Sequence, residues 1–260
     1  MKKGIMKIVN NHKKIDKKCL SREEFMKKLI IIPAYNEAEN LPKVISGIEN
    51  LLPGFDYVII NDGSVDNTRK VCEANQYNVV NLPINSGIGV AVQTGYKYAL
   101  YNDYDIAIQI DGDGQHDVSY LEKIVAPLES NEADVVIGSR FIEYQGFQSS
   151  GARRMGIKLL SFFIWLCTGQ KVKDVTSGFR AVNKRFIGIF ADDYSKDYPE
   201  PEAIVTTKMY GGRILEMPVV MKEREAGSSS ITLWKSVYYM VKVTLAIFVK
   251  RLSYGIRREK

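Results

Sequence analysis

The sequence predicts an α/β fold, a mostly parallel sheet flanked by helices. Short β-branched runs alternate with helix-length segments from Lys28 to about Leu100. Each run ends in a polar turn carrying an acid, an amide or a glycine. In a parallel sheet those turns collect at one rim, the carboxyl ends of the strands, where ligands of such sheets bind.

The elements follow in order. Lys28-Leu29-Ile30-Ile31-Ile32-Pro33 is a first strand ended by proline, and the stretch from Ala34 to Asn40 opens a helix to about Leu52, with Asn36 as N-cap and acids in its first turn. Tyr57–Ile60 is a second strand, Asn61-Asp62-Gly63-Ser64 a loop, and Asp66-Asn67-Thr68 the start of a helix through about Ala74. Asn78–Leu82 makes a third strand, and Asn85-Ser86-Gly87-Ile88-Gly89 leads into a helix to Leu100. This G-x-G satisfies neither a Walker loop nor a dinucleotide fingerprint, and reads as a tight helix start approaching a ligand. Tyr104–Ile108 is the fourth strand, Val118–Ser130 a helix, and Ala133–Gly138 a fifth strand delivering Ser139 and Arg140 to the same rim.

The chemistry is placed on Gln109-Ile110-Asp111-Gly112-Asp113-Gly114-Gln115-His116-Asp117, where the fourth strand runs out. Two carboxylates two residues apart suit a hard divalent cation, Mg²⁺ or Mn²⁺, which is often held by one or two acids together with substrate phosphates. Alone, the pair is equally a solvated Asp-Gly turn. Its co-location with Asp62 at the strand ends raises it above that.

Composition narrows the classes. With 260 residues and 45% hydrophobic content the chain can bury a full core. Cys19, Cys72 and Cys167 are widely spaced, which argues against a zinc site or a disulfide scaffold. Of the net charge of +6, Met1 to Lys28 contributes +7, so the body is near neutral. A basic arm on a neutral body suits an anionic surface or serves as a solubilising tail. A nucleic-acid role would rest on that arm alone, without an aromatic stacking platform, and no nucleic-acid partner is expected. No signal peptide precedes the arm, so catalysis is expected to face the cytoplasm.

Downstream, Arg153, Arg154 and Lys158 lead into Leu159–Cys167, too short to span a bilayer, which reads as an interfacial helix or, more commonly, a core helix. Asp174–Arg180 is a polar loop adding an acid and an arginine, Tyr198–Glu202 a rigid acidic turn before a helix, and Arg213–Met221 a strand. Lys222–Ser230 is a hydroxyl-rich loop of the kind that closes over phosphates, or an ordinary linker. Ile231–Leu252 is long and apolar but interrupted by Lys235 and Lys242, which favours an in-plane amphipathic helix over a span, with a core helix as the second reading. The expected organisation is a basic extension over 1–28, a catalytic domain over 29–230 and a membrane-associating C-terminal helix over 231–260.

Taken in order, Pro33-Ala34-Tyr35-Asn36-Glu37, Asn61-Asp62-Gly63-Ser64-x-Asp66-x-Thr68, Asp111-Gly-Asp113-Gly-Gln115-His116, Gly138-Ser139-Arg140, Asp174-x-x-Ser177-Gly178 and Arg224-x-x-Gly227 resemble glycosyltransferase family 2. Within it the chain is similar to the polyprenyl-phosphate sugar synthases, above all to bacterial enzymes that charge undecaprenyl phosphate for cell-wall polysaccharide side chains. The resemblance implies a GT-A fold, a UDP-sugar donor, Mg²⁺ or Mn²⁺, a polyprenyl phosphate acceptor and inversion at the anomeric carbon. It implies that Pro33, Tyr35, Glu37 and Asp62 hold the nucleoside, that Asp111, Asp113 and Gln115 hold metal and diphosphate, and that Arg224 reaches the donor phosphates. Arg140, Arg153 or Arg154, and Ser177 would bind the acceptor phosphate, with Arg140 and Asp174 in the catalytic set. Two positions depart from the family pattern: Asn61 replaces a common Asp, and Ser230 a common Lys.

A phosphate acceptor is already anionic and needs cations rather than a strong base. A hydroxyl acceptor on a lipid-linked glycan would need a carboxylate, and Asp174 and Glu202 are the candidates. The remaining alternative is a non-catalytic nucleotide-sugar-binding partner of a membrane protein. The expected setting is the cytoplasmic membrane face, with a small integral-membrane partner or a homo-oligomer.

Overall fold

The computed structural model describes residues 26–143, 151–222 and 242–251, with backbone only at 152 and 153. Seven strands form one sheet: β1 (Lys28–Ala34), β2 (Phe55–Asn61), β3 (Val79–Asn81), β4 (Ile106–Gln109), β5 (Val135–Ser139), β6 (Arg180–Asn183) and β7 (Ile214–Pro218). Their order is β3-β2-β1-β4-β6-β5-β7. The first four are parallel, β5 and β7 pair in parallel, and β6 runs antiparallel between β4 and β5.

The run Leu29-Ile30-Ile31-Ile32 is apolar throughout because both faces of β1 are covered. With the period of two, Ile30 and Ile32 pack with α1 (Leu41–Leu51), α2 (Thr68–Ala74) and α4 (Leu121–Glu129). Leu29 and Ile31 pack on the other side with α3 (Ile88–Tyr101), α5 (Gly151–Thr168), α6 (Lys184–Asp192) and α7 (Pro199–Met209). Each such side chain contributes about 1.5–3 kcal/mol on burial.

At the end of the sheet away from the site, Asp134 accepts from Asn183 Nδ2 (2.9 Å), from the Arg213 amide (2.8 Å) and from Arg213 Nε (3.0 Å). One carboxylate therefore fixes where β5, β6 and β7 meet. Hydrogen bonds from Arg213 and Asn183, against burial, hold its pKa below the usual carboxylate range.

Several elements differ from expectation. Asn36 does not cap α1: its φ is +57°, and its side-chain oxygen accepts from the amides of Val65 (3.0 Å) and Asp66 (3.3 Å), so the helix begins later, with Asn40 at the cap and no acid in its first turn. Arg180 is not a rim cation. It is fully buried at the start of β6, donating to the carbonyls of Ser177 (2.8 Å), Glu200 (2.5 Å) and Val175 (3.3 Å). The acidic Tyr198–Glu202 turn is largely helix, since α7 starts at Pro199, where a missing N–H costs nothing. Residues 242–251 are helical and bury Val243 and Ile247 in the core, while Lys242 pairs with Asp197 (3.6 Å) and Lys250 with Asp193 (3.1 Å). That part fits the core-helix reading on one face and leaves Leu245, Phe248 and Val249 exposed. The rest of 231–260, like the 1–25 arm, lies outside the described residues.

Gly89 approaches protein rather than a ligand. A Cβ there would stand 2.2 Å from the Ser195 carbonyl oxygen and 2.4 Å from that of Lys196, backbone atoms that cannot rotate away. Gly188, inside α6, has open space around it. Gly89→Ala is therefore expected to cost about 1–3 kcal/mol in urea denaturation, whereas Gly188→Ala should gain about 0.5–1 kcal/mol. Equal effects would show that α3 does not seat on the Ser195–Lys196 backbone.

Candidate active site

The strand ends converge as the parallel register requires, with Ala34 beside Asn61 and Asn61 beside Asn81. β4 leaves the sheet after Gln109, opposite Ile31, and the Ile110 amide still bonds the Ile31 carbonyl (3.1 Å). Asp111 to Gln115 then turn over the end of β1. Gly112 is seated so closely that a Cβ would lie 3.1 Å from the Pro33 carbonyl oxygen and 3.5 Å from Glu37 Cγ. Gly114, at φ +76°, completes the turn.

His116 is the floor of this loop. Its ring stacks on Phe179 (4.9 Å between centroids, 19° between planes), and its Nδ1 accepts the Asp111 amide (2.9 Å). Nδ1 must then be unprotonated, and burial drives the pKa from its ordinary 6.5 down to about 4. The neutral ring thus fixes the Asp111 backbone by accepting its amide, while Nε2 stands 3.7 Å from Asp111 Oδ2.

Asp113 Oδ1 accepts the Gln115 amide (3.1 Å), and Gln115 Nε2 donates to the Lys222 carbonyl (3.3 Å), which orients the side-chain oxygen as the remaining hard donor. No group of three or more His, Cys, Asp or Glu able to hold a metal occurs among the described residues. Two carboxylates and an amide oxygen fit a Mg²⁺ or Mn²⁺ whose shell is completed by phosphate oxygens and water.

The residues expected to meet a nucleoside lie at the first two strand ends. Pro33 lies within β1 and Tyr35 is exposed on the rim just beyond it. Glu37 is buried, bonded by Asn40 Nδ2 (2.6 Å), and its amide donates to Thr68 Oγ1 (2.9 Å). Asp62 is also buried and grips the loop before α3, accepting from the amides of Ser86 (2.7 Å) and Gly87 (2.8 Å). Asn61 cross-links to Asn81 Oδ1 (2.7 Å) instead of facing outward.

Following β5, Arg140 forms a bidentate buried pair with Asp174, Nε to Oδ2 and Nη2 to Oδ1 each at 2.6 Å, with the Arg140 amide also donating to Oδ2 (3.1 Å). Glu216 of β7 braces the loop by accepting the amides of Lys173 (2.8 Å) and Asp174 (2.7 Å). Asp174 is completely buried, and both its oxygens are taken up by Arg140, an arrangement of an anchor rather than of a base. Ser177 is likewise buried: its hydroxyl donates to the Gly138 carbonyl (2.6 Å) and accepts the Phe179 amide (3.3 Å), tying the loop to β5 rather than facing an acceptor. Gly178 lets this loop touch the acids, since a Cβ there would be 3.0 Å from Asp111 Oδ1.

Glu200, read only as part of a turn, stands half-buried at the first turn of α7. Burial raises its pKa against the opposing charge of Arg180, with a smaller upward push from Asp111. The acid-rich start of a helix was visible in the sequence; its proximity to Asp111 was not. Glu202, by contrast, accepts from Ser195 Oγ (2.8 Å) and lies 3.9 Å from Lys250.

Next to Arg140 in sequence, a cavity of about 580 Å³ runs between Phe141 and α5, lined by Arg154, Met155, Lys158 and Lys173 and, among the described residues, by no acid. The side chain of Arg153 and all of Arg224 lie outside the described residues.

Because the folded pKa of His116 is depressed, the unfolded chain takes up the proton first as pH falls below 6.5. Metal-free protein should lose about 3 kcal/mol between pH 6.5 and 4 from this group, and His116→Gln should remove that part of the slope. Urea titrations of both proteins across the range check it; parallel curves would mean that His116 is charged in the fold.

The sequence matches the family model described as glycosyl transferase family 2 over residues 29–190. It is 30% identical to an undecaprenyl-phosphate mannosyltransferase of Micrococcus luteus, across 80% of this chain and 88% of that one. It is 31% identical to a UDP-N-acetylglucosamine–dolichyl-phosphate N-acetylglucosaminyltransferase of Methanococcus voltae, across 73% and 83%. The fold superposes on glucosyl-3-phosphoglycerate synthase of Mycobacterium tuberculosis with a TM-score of 0.68 at 20% identity, covering 88% of this chain and 81% of that one. Sheet order, helix layers and this superposition give the GT-A fold, and the family-model match over more than half of the chain, together with the Micrococcus relative, establishes that the chain belongs to glycosyl transferase family 2.

Proposed function

We propose that the protein transfers a hexose or N-acetylhexosamine from a UDP-sugar to a polyprenyl phosphate, undecaprenyl phosphate in a bacterial membrane, with inversion and with Mg²⁺ or Mn²⁺. It works peripherally at the cytoplasmic face and supplies a lipid-linked donor for surface polysaccharide. The observation that carries this reading is the groove beside Arg140. Three cations, apolar Met155 and Phe141 and, among the described residues, no carboxylate suit an anionic headgroup on an apolar chain. The named activities of the Micrococcus and Methanococcus relatives, both on polyprenyl or dolichyl phosphates, support it.

In this reading Pro33, Tyr35, Glu37 and Asp62 build the nucleoside cleft, and Asp111, Asp113 and Gln115 hold the cation against the diphosphate. When bound, the cation supplies charge neutralisation to the leaving diphosphate. Arg140, fixed by Asp174, and Arg154 and Lys158 on α5 draw the acceptor phosphate in; Arg153 and Arg224 are assigned to the acceptor and donor phosphates respectively. A phosphate oxygen attacks the anomeric carbon, the bond from that carbon to the diphosphate oxygen breaks on the opposite face, and UDP leaves. No proton has to be removed, so the buried Asp174 need not act as a base.

A second reading has a specific observation behind it. Glu200, with its raised pKa beside Asp111, has the environment of a general base for a hydroxyl acceptor. One experiment separates the two. Protein, Mn²⁺, a short polyprenyl phosphate and a panel of UDP-sugars are incubated and the lipid is weighed by mass spectrometry. A gain of one sugar is expected, reduced about 10²-fold or more in Asp113→Ala, with Glu200→Gln within about threefold of the parent. Turnover only with a lipid-linked glycan, lost about 10²-fold in Glu200→Gln, would overturn the phosphate acceptor. UDP-sugar binding without turnover on any acceptor would leave a binding partner.

A further inference from the structure

α5 has two apolar faces, and the core uses one. Ile157, Leu160 and Ile164 are buried within the same cluster as Val243 and Ile247. On the opposite side Met155, Leu159, Phe162 and Leu166 recur at intervals of four, three and four and are 72%, 54%, 51% and 66% exposed. That spacing aligns them in one stripe along the helix, roughly 16 Å long. A contiguous exposed stripe of large apolar side chains marks a contact surface rather than ordinary surface scatter.

Charge identifies what it contacts. From Gly151 to Lys173 the chain carries Arg153, Arg154, Lys158, Lys171 and Lys173 and no acid. Arg154 and Lys158 flank the stripe at one end and are exposed; Lys171 and Lys173, also exposed, follow the other, with the Lys171 ammonium 5.8 Å from the Trp165 ring centre. A second copy of the chain seated on its two-fold would set these cations against themselves. An apolar stripe bordered by cations and an interfacial tryptophan matches an anionic phospholipid surface instead. No helix among the described residues is long and apolar enough to cross a membrane, so the contact lies in the plane of the bilayer.

We propose that the outer face of α5, Met155-Leu159-Phe162-Leu166 with Trp165 and its flanking cations, is the surface by which the protein docks on anionic membrane. The consequence for the site follows from position. Met155 belongs to both the stripe and the groove beside Arg140, so docking opens the groove toward the lipid. The proposal extends the lipid-acceptor reading, but its test reads binding rather than turnover, so either can fail alone.

Trp165 and Trp234 are the two tryptophans, so the full chain with Trp234→Phe carries a single reporter on the stripe. Mixed with phosphatidylglycerol-containing vesicles it should show a blue shift of Trp165 emission and quenching by lipids brominated in the acyl chain, and little change with phosphatidylcholine alone. Phe162→Asp with Leu166→Asp should weaken vesicle partitioning about tenfold or more, and Lys171→Gln with Lys173→Gln should weaken it only on anionic vesicles. Vesicle binding with Trp165 unquenched would overturn the proposal in favour of another surface. So would a concentration-dependent dimer abolished by the Asp substitutions in protein that does not bind vesicles. The quenching is read on side chains left intact, so it decides the matter even if the double Asp variant fails to fold.

Discussion

The site depends on a single reversal in the sheet. Six strands run in a common sense or pair in parallel, and β6 alone lies antiparallel to both neighbours. Its first residue rather than its last therefore reaches the rim, with Arg180 opposite Gln109. The loop that precedes β6 is thereby carried to the acidic turn. An all-parallel strand in that place would deliver its following loop instead, and Asp174, Ser177, Gly178 and Phe179 would lie at the far edge.

That loop is held from three directions. Arg180 reaches back to its carbonyls, Glu216 takes its amides, and Arg140 clamps Asp174. A buried ion pair recovers its desolvation only when further hydrogen bonds surround it, and here Asp174 also accepts the Arg140 amide while Arg140 donates to Thr176 Oγ1. The same pairing means that Arg140 presents a largely compensated charge. More of the positive potential at the groove comes from Arg154, Lys158 and Lys173, whose side chains are exposed.

The parallel half of the fold was legible because its signals are local. β1, β2 and β4 are runs of buried aliphatics closed by polar turns, and the acids at their ends had to share a rim. β6 was not legible as a strand: Arg180-Ala181-Val182-Asn183 is too short for a period, and its arginine reads as surface although its partners are carbonyls distant in sequence. α6 could have been found, since Asn183 accepts from the Phe186 amide (3.1 Å) as an N-cap before Phe186, Ile187 and Phe190. Among the candidate site residues, residue type singled out Asp111, Asp113 and Arg140 but could not tell an exposed carboxylate from a buried one. Asp174 as anchor, Ser177 as strand tie and Glu200 as neighbour of Asp111 are outcomes of packing across the sheet.

Beyond β7, Met221 bridges His116 and the Lys222 amide bonds the Gln115 carbonyl (2.9 Å). The acidic turn is thereby stitched along one side to the segment that follows β7 as well as resting on the end of β1. A substitution that loosened Met221 would therefore be felt at Gln115 and His116, far away in sequence, as a change in the shape of the turn.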